Sequence, residues 1–386
     1  MLFLSRESKD FMKLKIVFLS IALAVSISQN ELYAQFTCEG SACSFLPGAL
    51  TETGNASLKK FETGYLNEVL KTNLEAGFLA NVGTGNIGTG TVRRIQVGVS
   101  ASAAGYKKDD IQIQDELIKY PKLPNVGGAA IPSIHLDINP GWLFGTDDGS
   151  FLRRFGIFLH GMNVAVTQDQ LQSASNNRNY EGRITVRSYG GMLRYQLVEK
   201  EGFLMNLITW NGLNIGVGHH VMEQNLSLSY LEGKAAQIEF QGVKGKWGGD
   251  TNFLFNTKVQ TTNVDLRTGV GLFWVANLIL GGGYSWNSGS NSATLSRRGP
   301  FLISANDSLP LEIPREYQAA LDKELLAQNP NATLGFRASG ESSSRRGIGY
   351  GIVGLELDLF MLKVIAEGLY GGKDLYSANL GLKLSF

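Results

Sequence analysis

Residues 375–386, LYSANLGLKLSF, alternate in polarity to the final residue. Tyr376, Ala378, Leu380, Leu382, Leu384 and Phe386 share one side of an extended chain. Ser377, Asn379, Gly381, Lys383 and Ser385 share the other. A period of two marks a strand, because successive side chains leave opposite faces of the pleat. A strand with one wholly apolar face needs a second sheet to cover it or an apolar solvent around it.

The same period recurs from Thr91 onward. RIQVGVSASA places Ile95, Val97, Val99, Ala101 and Ala103 opposite Arg94, Gln96, Gly98, Ser100 and Ser102. RITVRSY sets Ile184 and Val186 against Arg183, Thr185 and Arg187. Leu213, Ile215 and Val217 share a side, and Asp265 and Arg267 flank Leu266. VGLELDLF sets Val353, Leu355, Leu357 and Leu359 against Gly354, Glu356 and Asp358. Charges of both signs deep inside long strands separate this pattern from a soluble sandwich.

The connections alternate between short and long. Short ones fall at 145–150, 199–202, 274–277 and 360–363. Long ones cover about 105–128, 167–181, 219–260 and 287–346, with 370–374 a brief exception. Short periplasmic turns and longer external loops are what a transmembrane barrel predicts. Counting back from Phe386 at the periplasmic side gives strands near 375–386, 363–370, 347–359, 276–286, 262–274, 203–218, 182–198, 150–166, 129–144 and 91–104. A further hairpin within 222–260 would raise ten strands to twelve; otherwise that stretch extends the wall beyond the membrane. Closing 375–386 onto 91–104 leaves no unpaired edge in lipid. The predicted fold is all-β, a transmembrane antiparallel β-barrel of 10–12 strands over 91–386, with a short helical periplasmic segment at its N-terminus.

That leader has its own features. Met12-Lys13-Leu14-Lys15, the apolar run 16–27 and ELYA ending at Ala34 read as a signal peptide over 1–34, against a membrane-anchor alternative. Residues 35–90 form the predicted periplasmic leader. Within it, 64–80 has helical spacing, with Leu66, Val69, Leu70, Leu74 and Phe78 on one face. This helix either plugs the lumen from the periplasmic side or lies below it. GTGNIG at 83–88 fits G-x-G-x-x-G, but a helix precedes it and a strand follows, the reverse of dinucleotide-binding order. A flexible glycine-rich linker accounts for it. Cys38 and Cys43 are a disulfide candidate in an exported chain; free thiols and acylation of Cys43 in GSAC are the alternatives.

The terminal strand, aromatic at Phe386 and apolar at every second position back to Tyr376, resembles that of bacterial outer-membrane β-barrel proteins. The likeness covers roughly 91–386 and includes the signal peptide. It implies residence in the outer membrane with loops at the cell surface, and a last strand read by the barrel-assembly machinery. Outer-membrane lipid would then meet Leu380, Leu382 and Leu384, with Tyr376 and Phe386 at its borders. In general layout the chain is also similar to barrel-type surface adhesins of spirochaetes.

Chemical candidates are few. The net charge of +1 argues against nucleic acid as a partner. The histidines are His135, His160, His219 and His220, and His135 shares a strand face with Asp137. Outer-membrane proteases of the omptin kind use Asp and His at the barrel mouth, whereas Asp147 and Asp148 fall in a predicted periplasmic turn. The histidine-x-serine of barrel deacylases is replaced by HHV, and adjacent His219 and His220 point to opposite faces, a poor zinc pair. No catalytic residue, metal or cofactor is predicted, and the chain reads as a non-enzyme.

The predicted lumen-lining charges are Arg94, Arg183, Arg187, Asp265, Arg267, Glu356, Asp358, Glu367 and Lys383. They line a narrow or gated channel for small solutes or hydrophobic ligands, or they pack the interior shut as ion pairs. In the second case the chain is a surface-exposed adhesin or receptor. It would bind host or environmental macromolecules through 105–128, 219–260 and 287–346, the last carrying a predicted helix at 314–330 between Pro314 and Pro330.

Overall fold

The computed structural model describes residues 35–40, 43, 48–85, 88–114, 121–147, 149–175, 179–203, 207–231, 236–240, 243–303 and 332–386. The signal peptide, Asp148 and the predicted helix at 314–330 lie outside the described residues. The chain begins with β1 (Gln35–Gly40), α1 (Gly48–Phe61), a π-helical turn (Glu62–Leu66) and α2 (Asn67–Thr84). Strands β2 (Ile95–Ile111), β3 (Leu123–Ile138), β4 (Phe155–Val166) and β5 (Tyr180–Val198) follow, with short helices α3 (Pro140–Leu143) and α4 (Gln168–Ser175) between them. Then come β6 (Glu201–Phe203), β7 (Ile208–Tyr230), β8 (Ala236–Phe240), β9 (Val243–Trp247) and β10 (Asp250–Leu272). The chain ends with β11 (Ala276–Ile303), β12 (Ala332–Leu359), β13 (Leu362–Tyr370) and β14 (Leu375–Ser385).

Ten antiparallel strands close a ring in the order β2, β3, β4, β5, β7, β10, β11, β12, β13, β14. The seam joins β14 to β2, from Leu375 opposite Tyr106 to Ser385 opposite Gln96. The alternation read in the last strand sets its faces: Ser377, Asn379 and Lys383 are buried, while Leu380, Leu382 and Leu384 are exposed. Val97, Val99, Val217, Leu266, Leu278, Leu280 and Val353 continue that exposed apolar band around the wall. In water so large a patch would be unfavourable; in a bilayer it is the surface that belongs there. From Tyr376 to Phe386, ten residues at ~3.4 Å with a tilt of ~40° span ~25 Å, the height of such bands.

Two predicted loops are largely strand. β7 continues to Tyr230, β10 begins at Asp250, and β11 and β12 are 28 residues each. Within the stretches predicted as loops, 219–230, 250–260, 287–303 and 332–346 therefore extend the wall past the band. Asn, Ser, Thr and charged residues occupy both faces there, so the alternation fades although the backbone ladder continues. NLSLSY belongs to β7, and the β8–β9 hairpin stands off the ring, joined to β11 at Gly245–Trp247. Ten strands, not twelve, make the barrel.

The leader is not at the short-turn end. β1 pairs with Ala332–Arg337 of β12, at the end that carries the long connections. α2 then enters the lumen from that end. Ser339 N–H donates to Glu62 Oε1 at 2.5 Å, Asn73 Nδ2 to Gly128 O at 2.7 Å, and Asn81 Nδ2 to His220 O at 3.0 Å. At the opposite end, Asn139 Nδ2 holds Val92 O at 2.9 Å, just before β2 begins. An even strand count does fix where β2 starts, but the chain before it doubles back through the barrel.

Aromatic rings crowd the short-turn end. Phe144, Phe151, Phe273, Trp274 and Phe360 are exposed there with Phe386. Phe273, Trp274 and Phe360 have φ of 52°, 61° and 59°. Left-handed backbone costs a bulky residue roughly 1–2 kcal/mol, and the turns spend it to set rings at the lipid border. At the other border, Tyr370 and Tyr376 lie 5.3 Å apart and Tyr284 and Trp286 5.1 Å apart.

The candidate functional site: a filled lumen beneath a projecting head

α2 is buried nearly all round, as a helix inside a barrel must be. Leu74, Phe78, Leu79 and Val82 pack on Ile131, Met222, Val259, Ile348, Ile352 and Leu369 from the wall. Polar groups between them find partners. Thr72 Oγ1 meets Asn125 Oδ1 at 2.6 Å, and Glu75 pairs with Arg346 at 2.7 Å and Lys108 at 3.0 Å. Asn291 Nδ2 donates to Leu70 O at 2.7 Å.

Below the helix the described residues of the glycine-rich segment, 83–85 and 88–90, form a packed strap and not a flexible linker. A Cβ on Gly83 would strike Asn379 and Ser102, and one on Gly85 would strike His220. Gly88 has φ +95° and Gly90 φ +80°, conformations that favour glycine. Gly88 is held from both sides: its N–H donates to Glu367 Oε1 at 2.9 Å, and its carbonyl accepts from Arg267 Nη1 at 2.9 Å. Thr89 N–H donates to Glu356 Oε2 at 2.7 Å.

Buried ion pairs surround this strap. Arg267 binds Glu367 at 2.6 Å and Asp265 at 3.4 Å, and Arg194 binds the same Asp265 at 2.8 Å. Lys363 bridges Glu356 at 2.7 Å and Asp358 at 2.9 Å, and Lys383 holds Asp137 at 2.8 Å. Arg194 and Lys383 also stand over the Phe158 ring, at 5.8 Å and 5.6 Å. Asp137, Asp265, Glu356 and Glu367 thus stand against Arg194, Arg267, Lys363 and Lys383, with Asp358 a fifth carboxylate at the half-exposed rim.

Of the predicted lumen charges, Asp265, Arg267, Glu356, Glu367 and Lys383 lie in this network, and Asp358 sits at its half-exposed lower rim. Three others do not. Arg94 is exposed below β2. Arg183 and Arg187 are exposed on the outside of β5, because Ser188, Met192 and Arg194 are its inward set. Arg187 pairs outside the barrel with Glu223 at 3.8 Å.

Lys363 went unpredicted, as did Arg194 and Asp137. Parity could have found the latter two, since each is a charge between two outward apolar residues, Leu193 and Tyr195 or Leu136 and Ile138. Three histidines also converge in the lumen. His135 Nε2 contacts Ser100 Oγ at 2.6 Å and Ser133 Oγ at 3.0 Å, and His160 Nε2 contacts His220 Nδ1 at 2.9 Å. Among the described residues no group of three His, Cys, Asp or Glu is arranged to hold a metal ion.

Above the wall stands a small head. Cys38 and Cys43 form a disulfide, beside Phe36, Trp247, Phe301 and Leu334. Trp247 Nε1 donates to Leu334 O at 3.1 Å, and Arg297 stacks 4.7 Å from its ring. Arg298 and Glu39 pair at 2.8 Å, both well exposed.

The Lsa36-like family model matches residues 31–386. No curated protein matches. Among solved structures, the outer membrane protease OmpT of Escherichia coli is 13% identical with a TM-score of 0.34, over 76% of this chain and 96% of that one. The translocator domain of autotransporter NalP from Neisseria meningitidis is 10% identical with a TM-score of 0.30, over 88% and 100%. The attachment invasion locus protein Ail of Yersinia pestis is 9% identical with a TM-score of 0.21, over 75% and 96%.

Proposed function

The chain belongs to the Lsa36-like family, and from its filled lumen we propose that it is a surface-exposed binding protein of the bacterial outer membrane. Its barrel is the anchor. The wall extension and the disulfide-tied head are the adhesin or receptor part, and the ligands are extracellular macromolecules. In the membrane its partners are lipid and the barrel-assembly machinery, which would read the strand ending in Phe386.

One observation carries this reading. Residues 67–85 and 88–92 occupy the lumen from the long-loop end to the short-turn end, locked by apolar packing above and buried ion pairs below. A solute channel would need that segment to leave. Breaking even one buried pair costs about 3–5 kcal/mol. The same path puts β1 beside the head, so the leader adds to the displayed surface.

Two measurements test the reading. Full-length protein in planar bilayers should give no conductance steps; sustained open-channel current would restore the channel for small solutes or hydrophobic ligands. Binding to extracellular-matrix proteins should fall when residues 232–249 are replaced by a short turn. Unchanged binding by that folded variant counts against the head.

A further inference from the structure

The outer face of the projecting wall carries a concavity of about 450 Å³. Two same-face rungs of the ladder line it, with Thr257, Asn291 and Ser342 on the rung between them. One runs Glu223, Lys258, Ser290, Ser343 across β7, β10, β11 and β12; the other runs Asn225, Asn256, Ser292, Glu341. Every lining residue is polar, so the cup offers hydrogen-bonding groups in place of the apolar side chains that hold an acyl chain. Neighbouring strands are ~4.8 Å apart and same-face residues ~6.8 Å apart. The surface therefore presents hydroxyl, amide, carboxylate and ammonium groups on a grid the size of a sugar ring.

Its height narrows the occupant. Ser290 lies four residues above Trp286, the last exposed aromatic of the β11 band. At strand rise and barrel tilt, that is ~10 Å above the lipid border. A phospholipid headgroup layer is only ~5–8 Å thick, so a taller headgroup is needed to reach the cup. The cup opens sideways, away from the barrel axis, toward the surrounding leaflet.

Its charges are set in place. Glu223 binds Lys258 at 3.0 Å and Arg187 at 3.8 Å. The hydrogen bond from Lys258 raises that ammonium's pKa, so it stays cationic. Arg345 is exposed one same-face rung below. Counting the cup's own Glu341, two carboxylates face Lys258, Arg187 and Arg345, a net of one positive charge beside the hydroxyls.

We infer that this cup is a saccharide site, and that its occupant is the sugar headgroup of a glycolipid in the outer leaflet. The inference rests on the bilayer-spanning reading of the wall and not on the adhesin reading, which is tested at residues 232–249.

The test uses full-length protein in detergent micelles, with rough lipopolysaccharide as the probe. Saturable binding is expected. Ser290→Trp, which fills the cup, and the pair Asn256→Ala with Glu341→Ala should each weaken it at least tenfold, while Gly105→Ala, on β2 away from the cup, leaves it within twofold. The oligosaccharide released by mild acid should compete at higher concentration, and phosphatidylglycerol should not. Equal affinity for wild type and Ser290→Trp overturns the site. Competition by phosphatidylglycerol as strong as by lipopolysaccharide reduces it to charge alone and also overturns it. Free oligosaccharide binding as tightly as the whole glycolipid overturns the membrane source. The heat-dependent electrophoretic shift of a folded barrel controls each variant.

Discussion

Arg267 and Glu367 meet at 2.6 Å, both side chains almost wholly buried, and between them they hold the two backbone polar groups of Gly88. The pair thus belongs to the wall and to the strap at once. Arg267→Met leaves Glu367 with a buried negative charge and no ion-pair partner among the described residues, while Asp265 keeps Arg194. A loss of about 3–5 kcal/mol is expected, read as a lower denaturant midpoint in refolding into lipid vesicles. Adding Glu367→Met to Arg267→Met should recover part of that loss. Recovery stays incomplete because Gly88 N–H and C=O then lack partners, at about 1–3 kcal/mol each. Simple additivity of the two single variants would show that the pair is not coupled.

A second prediction concerns how closely α2 fits. A side chain at Gly127 on β3 would run into the backbone of Thr72 and Asn73, which cannot rotate aside. Gly105 on β2 has open space where its Cβ would stand. Gly127→Val should therefore displace the helix and produce conductance steps in planar bilayers. Gly105→Ala should stay silent like wild type. Silence from a folded Gly127→Val protein would mean that the lumen closes without the helix in place.

The barrel was legible because lipid enforces parity where it touches the wall. Leu380, Leu382 and Leu384 alternate with buried Asn379 and Lys383, and the seam to β2 follows from that phase. Parity misled at Arg183 and Arg187, where β5 has risen past the apolar band. Water bathes the outside there, so Ile184 and Val186 no longer mark the lipid face. The partner of Lys383 was illegible for another reason: Asp137 lies 246 residues away, and only ring closure brings them together. The direction of the leader was also hidden. A helix inside a barrel and one beneath it share the same apolar spacing. The better clue was the run of glycines at 83, 85, 88 and 90, which a free linker does not need and a crowded lumen does.

That direction can be measured on intact cells. β1 pairs with Ala332–Arg337 at the long-connection end; if that end faces outward, mild reduction frees Cys38 and Cys43 to an impermeant maleimide. The sequence holds two cysteines in all, so label on this protein reports them alone. Whole-cell labelling equal to that of lysed cells is expected, and none with Cys38→Ser and Cys43→Ser combined. Labelling only after lysis would put the leader back in the periplasm.

The disulfide should stabilise the head and not the barrel. Cys38 and Cys43 are five residues apart, and closing so small a loop is worth about 2 kcal/mol in the chain-entropy account. It acts where the head is otherwise thinly held. β1 is an edge strand of six residues, and the cluster beneath it is Phe36, Trp247, Phe301 and Leu334. The lumen network shares no residue with that cluster. Combined Cys38→Ser and Cys43→Ser should therefore raise amide exchange in 35–40 and 332–337 by roughly tenfold or more, the factor that corresponds to ~1.4 kcal/mol of local opening. Exchange in β13 and β14 and the unfolding midpoint of the barrel should stay unchanged. A midpoint that falls together with head protection would show that head and barrel unfold as one unit.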